Sequence, residues 1–111
     1  MYGHPNRDGM MAEAPILINS TVKEYYKNPQ FYGLAQYSKL ISPDSVRVSI
    51  TSSKTQNDFN CVAFERPDNS TVVVVYNLSP NSIQFIINDK SQGSVVTNIG
   101  QNTVQSYIYW N

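Results

Sequence analysis

The sequence predicts a mostly β chain, an antiparallel β-sandwich preceded by a single β/α unit. Three features predict it. From Val46 onward, six short runs with strand character succeed one another and no helical pattern interrupts them. Within that series, CVAFE and TVVVVYNLS flank RPDNS, a hairpin signal. Ahead of it, PILIN and STVKEYYKNPQFYGLAQYSKLI read as one strand and one helix. A lone β–α unit feeding a string of antiparallel strands reads as the tail of something larger.

Each element has a local reason. Residues 1–13 carry Gly3, Pro5, Asn6, Asp8 and Gly9 and read as loop. Ala14 to Asn19 is a continuous apolar run of the kind found in parallel strands buried on both faces, with Pro15 tolerated at its first position. Thr21 and Glu24 match a capping box, which predicts a short helix through Lys27. Asn28-Pro29 restarts the helix, with Asn as cap and Pro at the first helical position. Phe31, Leu34, Ala35, Ser38 and Ile41 then share one face, and Ser42-Pro43-Asp44 ends the helix.

From Val46 the period becomes two. Val46, Val48 and Ile50 are expected to face the core, with Arg47, Ser49 and Thr51 outward. Phe59 to Glu65 is the next strand. Thr71 to Tyr76 is apolar at consecutive positions, so it is expected to be a central strand covered on both faces. Strands over Ile83–Asn88, Ser94–Ile99 and Thr103–Trp110 complete the sandwich.

Composition narrows the function. The 111 residues suit one ordinary domain. Eight Lys+Arg balance eight Asp+Glu, so there is no basic stripe to displace counterions and no nucleic-acid partner is expected. Charged residues are only 14%, which suits a lumenal protein or a face meant to be covered. No stretch approaches the roughly 20 apolar residues of a membrane span, and the first residues show no apolar signal-peptide core. The single cysteine, Cys61, excludes an internal disulfide framework and reads as a buried, inert thiol.

Chemistry-bearing residues are sparse. Most of the acids fall where capping or solvation explains them: Glu24 in the expected cap, Asp44, Asp68 and Asp89 in turns, Asp58 beside a loop. Glu65 reads as a cross-strand partner. Asp8 and Glu13 are the only acids beside the buried strand. His4 is the one histidine and lies in a Gly/Pro-rich end. One His and one Cys far apart make no zinc site, and no phosphate-cradling glycine loop occurs, so neither a metal nor any other cofactor is expected. The eight tyrosines, four phenylalanines and Trp110 could stack on sugars, but on strands and amphipathic helices aromatics are more often core. Three N-x-S/T sequons occur, at Asn19, Asn69 and Asn77; Asn69, in the hairpin turn, is the most plausible acceptor.

QFYGLAQYSK (Gln30 to Lys39), the run from Pro67-Asp68 to Asn77, SVRVSI and the closing SYIYW together resemble the C-terminal end of the glucosylceramidases, the lysosomal acid β-glucosidases of glycoside hydrolase family 30. The resemblance runs from about Gly3 to Trp110. Two departures stand out: Arg7 replaces the family's usual Trp after Gly-x-Pro-Asn, and Asn69 replaces the Gly of the Pro-Asp-Gly turn. The resemblance implies a (β/α)8 barrel bearing the active site, with a β-sandwich beside it. Residues 1–13 would form a loop at the barrel mouth, where His4, Asn6 and Arg7 could shape the substrate pocket. Residues 14–41 would be the last β/α unit of the barrel, and residues 42–111 the sandwich.

The family's two catalytic glutamates, one in an Asn-Glu-Pro motif, have no counterpart in this sequence, so no catalytic residue is assigned and the chain alone is expected to be inactive. It is expected to be a C-terminal fragment of a retaining β-glucosidase acting on glucosylceramide. The partners implied by the resemblance are the rest of the barrel, N-terminal sandwich strands, a saposin-type activator and the membrane lipid substrate. The location implied is lysosomal or secreted. Two alternatives stay open: a free-standing, non-catalytic sandwich that binds carbohydrate, lipid or protein, and a hydrolase using Asp8 or Glu13.

Overall fold

The computed structural model describes residues 13–53 and 57–110. The chain divides into two compact units, Met1–Ala35 and Gln36–Asn111.

In the first unit, β1 (Ile16–Asn19) and β2 (Glu24–Lys27) form an antiparallel hairpin, with Ile16 opposite Lys27 and Asn19 opposite Glu24. The helix expected over Thr21 to Lys27 is therefore absent. Local preferences explain the outcome. Tyr25 and Tyr26 favour a pleated strand. Asn19 Oδ1 accepts the Thr21 amide at 3.2 Å, and Lys23 takes a left-handed φ of 56°, which together reverse the chain. Glu24 does not reach back to Thr21; its carboxylate accepts the Tyr26 hydroxyl at 2.7 Å. The expectation that Ile16–Asn19 is covered on both faces is also corrected within this structure, since Ile18 is 81% exposed.

Asn28-Pro29 does open helix α1 (Pro29–Ser38). Asn28 acts as a junction: its amide donates to Pro15 O at 2.9 Å, its side-chain Nδ2 donates to Ala14 O at 2.7 Å, and its carbonyl accepts the Phe31 amide. The helix ends at Ser38 rather than Ile41, although the Ile41 amide still bonds Tyr37 O at 2.9 Å. Of the expected apolar face, Phe31, Ala35 and Ile41 are half-buried and Leu34 is exposed. Ser42-Pro43-Asp44-Ser45 then turns the chain: Pro43 presets φ, Asp44 takes a φ of 65°, and the Ser45 amide bonds Ser42 O.

The second unit is the antiparallel sandwich. One sheet runs β3 (Val46–Val48), β4 (Phe59–Glu65), β5 (Ser70–Asn77) and β8 (Thr103–Trp110), in that spatial order. The other pairs β6 (Ile83–Asp89) with β7 (Gly93–Ile99). Strand alternation assigns the inner face. Ala63, Val73, Val75 and Ile99 are its buried centre, ringed by Val48, Phe59, Cys61, Ile83, Phe85, Ile87, Tyr107 and Tyr109. Phe85 sits edge-on to both Phe59 and Tyr107, with ring centroids 5.4 and 5.9 Å apart. Val72 and Val74, on the opposite face of β5, are also shut from water, so the central-strand expectation holds. Gln36, near the end of α1, lies on that face and accepts the Ser106 hydroxyl at 2.7 Å.

The expected core role of β3 is corrected at two of its three positions. Val48 packs on the core, but Val46 is 65% and Ile50 38% exposed. The ladder explains this. β3 is an edge strand whose last pair is Val48 with Ala63, so Ile50 lies beyond it, while Val46 faces Glu65 at the sheet's margin.

The hairpin between β4 and β5 turns as RPDNS predicts. The Asn69 amide bonds Arg66 O, the Arg66 amide bonds Ser70 O, and Asn69 takes a φ of 60°. This is a type I turn closed by a left-handed residue, a position where Gly or Asn is at ease.

Candidate functional site

Four carboxylates of the described residues, Glu13, Glu24, Asp68 and Asp89, accept hydrogen bonds that hold local structure. Glu13 accepts the Gln30 amide at 2.6 Å. Asp68 Oδ1 accepts both the hydroxyl and the amide of Ser70, and Oδ2 lies 3.4 Å from Arg66. Those Ser70 bonds, hydroxyl first, hold the Asp68 carboxyl below its usual range. Asp89 accepts the hydroxyl and amide of Ser91, the Gln92 amide and the Tyr109 hydroxyl, and its pKa is lowered to about 2. A general acid in glycoside hydrolysis needs the opposite, a carboxyl held protonated near neutral pH. Asp68 and Asp89 therefore serve as turn anchors. No group of three or more His, Cys, Asp or Glu that could hold a metal occurs among the described residues.

Asn77 shows the same economy with a neutral side chain. It is fully buried; Nδ2 donates to Asn81 O at 2.7 Å and Gly100 O at 2.9 Å, and Oδ1 accepts the amide and hydroxyl of Ser79. One side chain thus ties the end of β5 to the loop before β6 and to the end of β7.

Two concavities of the described surface bear on function. A cleft of about 460 Å³ lies along the free edge of β8, lined by Gln36, Thr97, Gln105, Ser106 and Tyr107 among others. Its polar groups satisfy one another: Ser106 with Gln36, and the Tyr107 hydroxyl with Gln105 at 2.7 Å and Thr97 at 3.2 Å. With no ionisable carboxyl or imidazole in its lining, it has no acid–base chemistry to offer at neutral pH. The second, about 490 Å³, lies on the hairpin of the first unit, where Ile16, Ile18 and Tyr25 share a face.

The sequence candidates distribute as follows. His4, Asn6, Arg7 and Asp8 lie outside the described residues. Asn19 is half-buried in β1 with Oδ1 bound to its turn, Asn69 is exposed at a hairpin tip, and Asn77 is the buried anchor above. Cys61 lies on the inner face, half-buried rather than buried as expected, and desolvation there pushes its thiol up. Phe59, Phe85, Tyr107 and Tyr109 pack on the core, whereas Tyr25, Tyr26, Tyr32, Tyr37 and Trp110 are exposed. The polar links between sheets, Tyr109 with Asp89 and Tyr107 with Thr97, were not anticipated. Their only sequence signal is a Tyr at alternating inward positions of the last strand.

The second unit is an antiparallel β-sandwich in which Asp68 and Asp89 anchor turns, and the first is a hairpin and helix with exposed apolar side chains. Residues 44–107 match the glycosyl hydrolase family 30 beta sandwich domain. The chain is 34% identical to the lysosomal acid glucosylceramidase of Mus musculus over 96% of its own length and 21% of that protein's. It is 30% identical to putative glucosylceramidase 4 of Caenorhabditis elegans, over 98% of this chain and 22% of that one. Among solved structures, an endo-β1,6-glucanase superposes with a TM-score of 0.83 at 26% identity, covering 99% of this chain and 25% of the other. SrfJ from Salmonella typhimurium shares the fold, with a TM-score of 0.86 at 23% identity over 99% of this chain and 24% of that one. The chain belongs to glycoside hydrolase family 30. It spans about a fifth of the length of these curated relatives.

Proposed function

We propose that this chain is the C-terminal part of a glucosylceramidase-like retaining β-glucosidase. It supplies the β-sandwich and the last β/α unit that closes a (β/α)8 barrel, and the two catalytic carboxyls belong to the rest of the barrel. The observation that carries this reading is the similarity to the mouse lysosomal glucosylceramidase, continuous across 96% of the chain yet covering only 21% of that enzyme. Residues 14–41 are the barrel unit on this reading. The bare apolar side chains of the first unit support it, since Ile18, Tyr25 and Leu34 are 81%, 65% and 57% exposed and would be covered by neighbouring barrel elements.

On the same reading His4, Asn6 and Arg7, which lie outside the described residues, help to shape the substrate pocket without running the reaction. A retaining mechanism places an acid/base and a nucleophilic carboxyl about 5 Å apart, and Asp68 and Asp89 are already committed to turns. The substrate is glucosylceramide in a membrane surface, presented with a saposin-type activator, and the compartment is the lysosome.

The test uses the full-length protein that contains this chain, with glucosylceramide in anionic vesicles and the anomer of released glucose followed by NMR. Release of β-glucose first supports the reading. An α-anomer first removes the retaining mechanism, and no release from any β-glucoside removes the substrate class.

A further inference from the structure

We propose that Asn69 carries an N-linked glycan and that Asn77 stays bare, an inference that rests on the lumenal location proposed above. The sequence offers Asn19-Ser20-Thr21, Asn69-Ser70-Thr71 and Asn77-Leu78-Ser79, with the hairpin turn favouring Asn69; the fold separates Asn69 from Asn77. The atom that bears the sugar is Nδ2. At Asn77 that atom donates to two carbonyls, Asn81 O and Gly100 O, and the residue is 0% exposed. A glycan there would break both bonds and force a sugar into the sandwich. Asn69 is exposed at the tip of the hairpin joining β4 to β5. Its place there is fixed through its backbone, by the amide bond to Arg66 O and the φ of 60°.

The step balances simply. Nδ2 of Asn69 attacks the anomeric carbon of a polyprenyl-pyrophosphate-linked oligosaccharide. The N–C bond forms, the C–O bond to phosphate breaks, the pyrophosphate leaves with the electron pair, and the amide nitrogen loses one proton. Transfer precedes folding, so the fold decides which product can still reach the native state. A glycan on Asn69 projects into water from a turn that ends a β-hairpin and leaves both sheets untouched.

The experiment compares two preparations of the full-length protein, one from its native cell and one directed into the endoplasmic reticulum by an added signal. Glycans are released enzymatically in heavy-oxygen water, and each sequon peptide is read by mass spectrometry. The expected result is heavy label at Asn69 and none at Asn77 in both preparations. Asn69→Gly, which suits the left-handed turn, removes one glycan and leaves the protein folded. Unlabelled Asn69 in both preparations overturns the site assignment. Label only in the directed preparation overturns the lumenal location, and with it the native glycan. Label at Asn77 in folded protein overturns the structural argument.

Discussion

The Tyr109 hydroxyl on β8 donates to Asp89 Oδ2 at the end of β6 at 3.0 Å, so one bond joins the two sheets of the sandwich at their margin. The bond perturbs both groups. Asp89 is lowered to about 2, chiefly by the Ser91 hydroxyl, then the Ser91 amide, with Tyr109 adding to them. Tyr109 is raised above its usual value, first by burial and then by Asp89.

The pH dependence follows from those directions. Asp89 is lowered in the folded state relative to an unfolded value of about 3.9. Its contribution is therefore complete above about pH 4 and fades as pH falls toward 2. Tyr109 is raised, so its contribution is complete below about pH 10 and fades as pH climbs through the folded value. Thermal denaturation across pH should show both limbs. Asp89→Asn should flatten the acid limb, and Tyr109→Phe the alkaline one. An unchanged acid limb in Asp89→Asn would mean the link carries no stability.

Asn77→Ala should be among the most costly polar changes in the sandwich. It deletes bonds to Asn81 O, Gly100 O and Ser79 and leaves buried groups unpaired, at about 1–3 kcal/mol per orphaned group. Asn69→Gly should fall within about 0.5 kcal/mol of wild type, since a left-handed turn accepts Gly without strain. Chemical denaturation of residues 42–111 measures both; equal losses would remove the anchor role of Asn77.

Val74→Ala should cost about 2–3 kcal/mol, because the side chain is 1% exposed on the central strand. Val46→Ala should cost less than about 1 kcal/mol, as that side chain is 65% exposed, and Ile50→Ala, at 38% exposed, should cost less than Val74→Ala. A large loss at Ile50 would mean that β3 continues past Val48 in solution.

Association is the next consequence. Ile18, Val22, Tyr25, Tyr32 and Leu34 are each more than half exposed. Apolar surface on this scale promotes self-association. Residues 1–111 should sediment as oligomers, and residues 42–111 should be closer to monomeric. A monomeric full chain beside an aggregating shorter one would show that residues 14–41 cover the sandwich.

The sandwich was legible in the sequence because its strands obey the period of two and its turns use Pro, Asp, Asn and Gly where turn geometry asks for them. Val72 to Val75 announced a strand covered on both faces, and it is one. The misread segment, Thr21 to Lys27, is one where a capping signature and strand-forming tyrosines compete. Asn19 and the left-handed Lys23 decide it through a reversal whose partner lies earlier in the chain. The exposure of Val46 and Ile50 was hidden because alternation reports which face a residue occupies, while ladder length decides whether that face is covered. Asn77 was hidden behind its sequon: its burial depends on carbonyls at Asn81 and Gly100, and no local pattern points to them.

The central claim, that this chain brings architecture and not the catalytic carboxyl pair, is tested most directly by turnover of a chromogenic β-glucoside by purified residues 1–111. The account predicts none above the buffer rate, with hydrolysis by the full-length protein under the same conditions. Turnover by residues 1–111 that disappears in Glu13→Gln would contradict it and place a catalytic carboxyl within this chain.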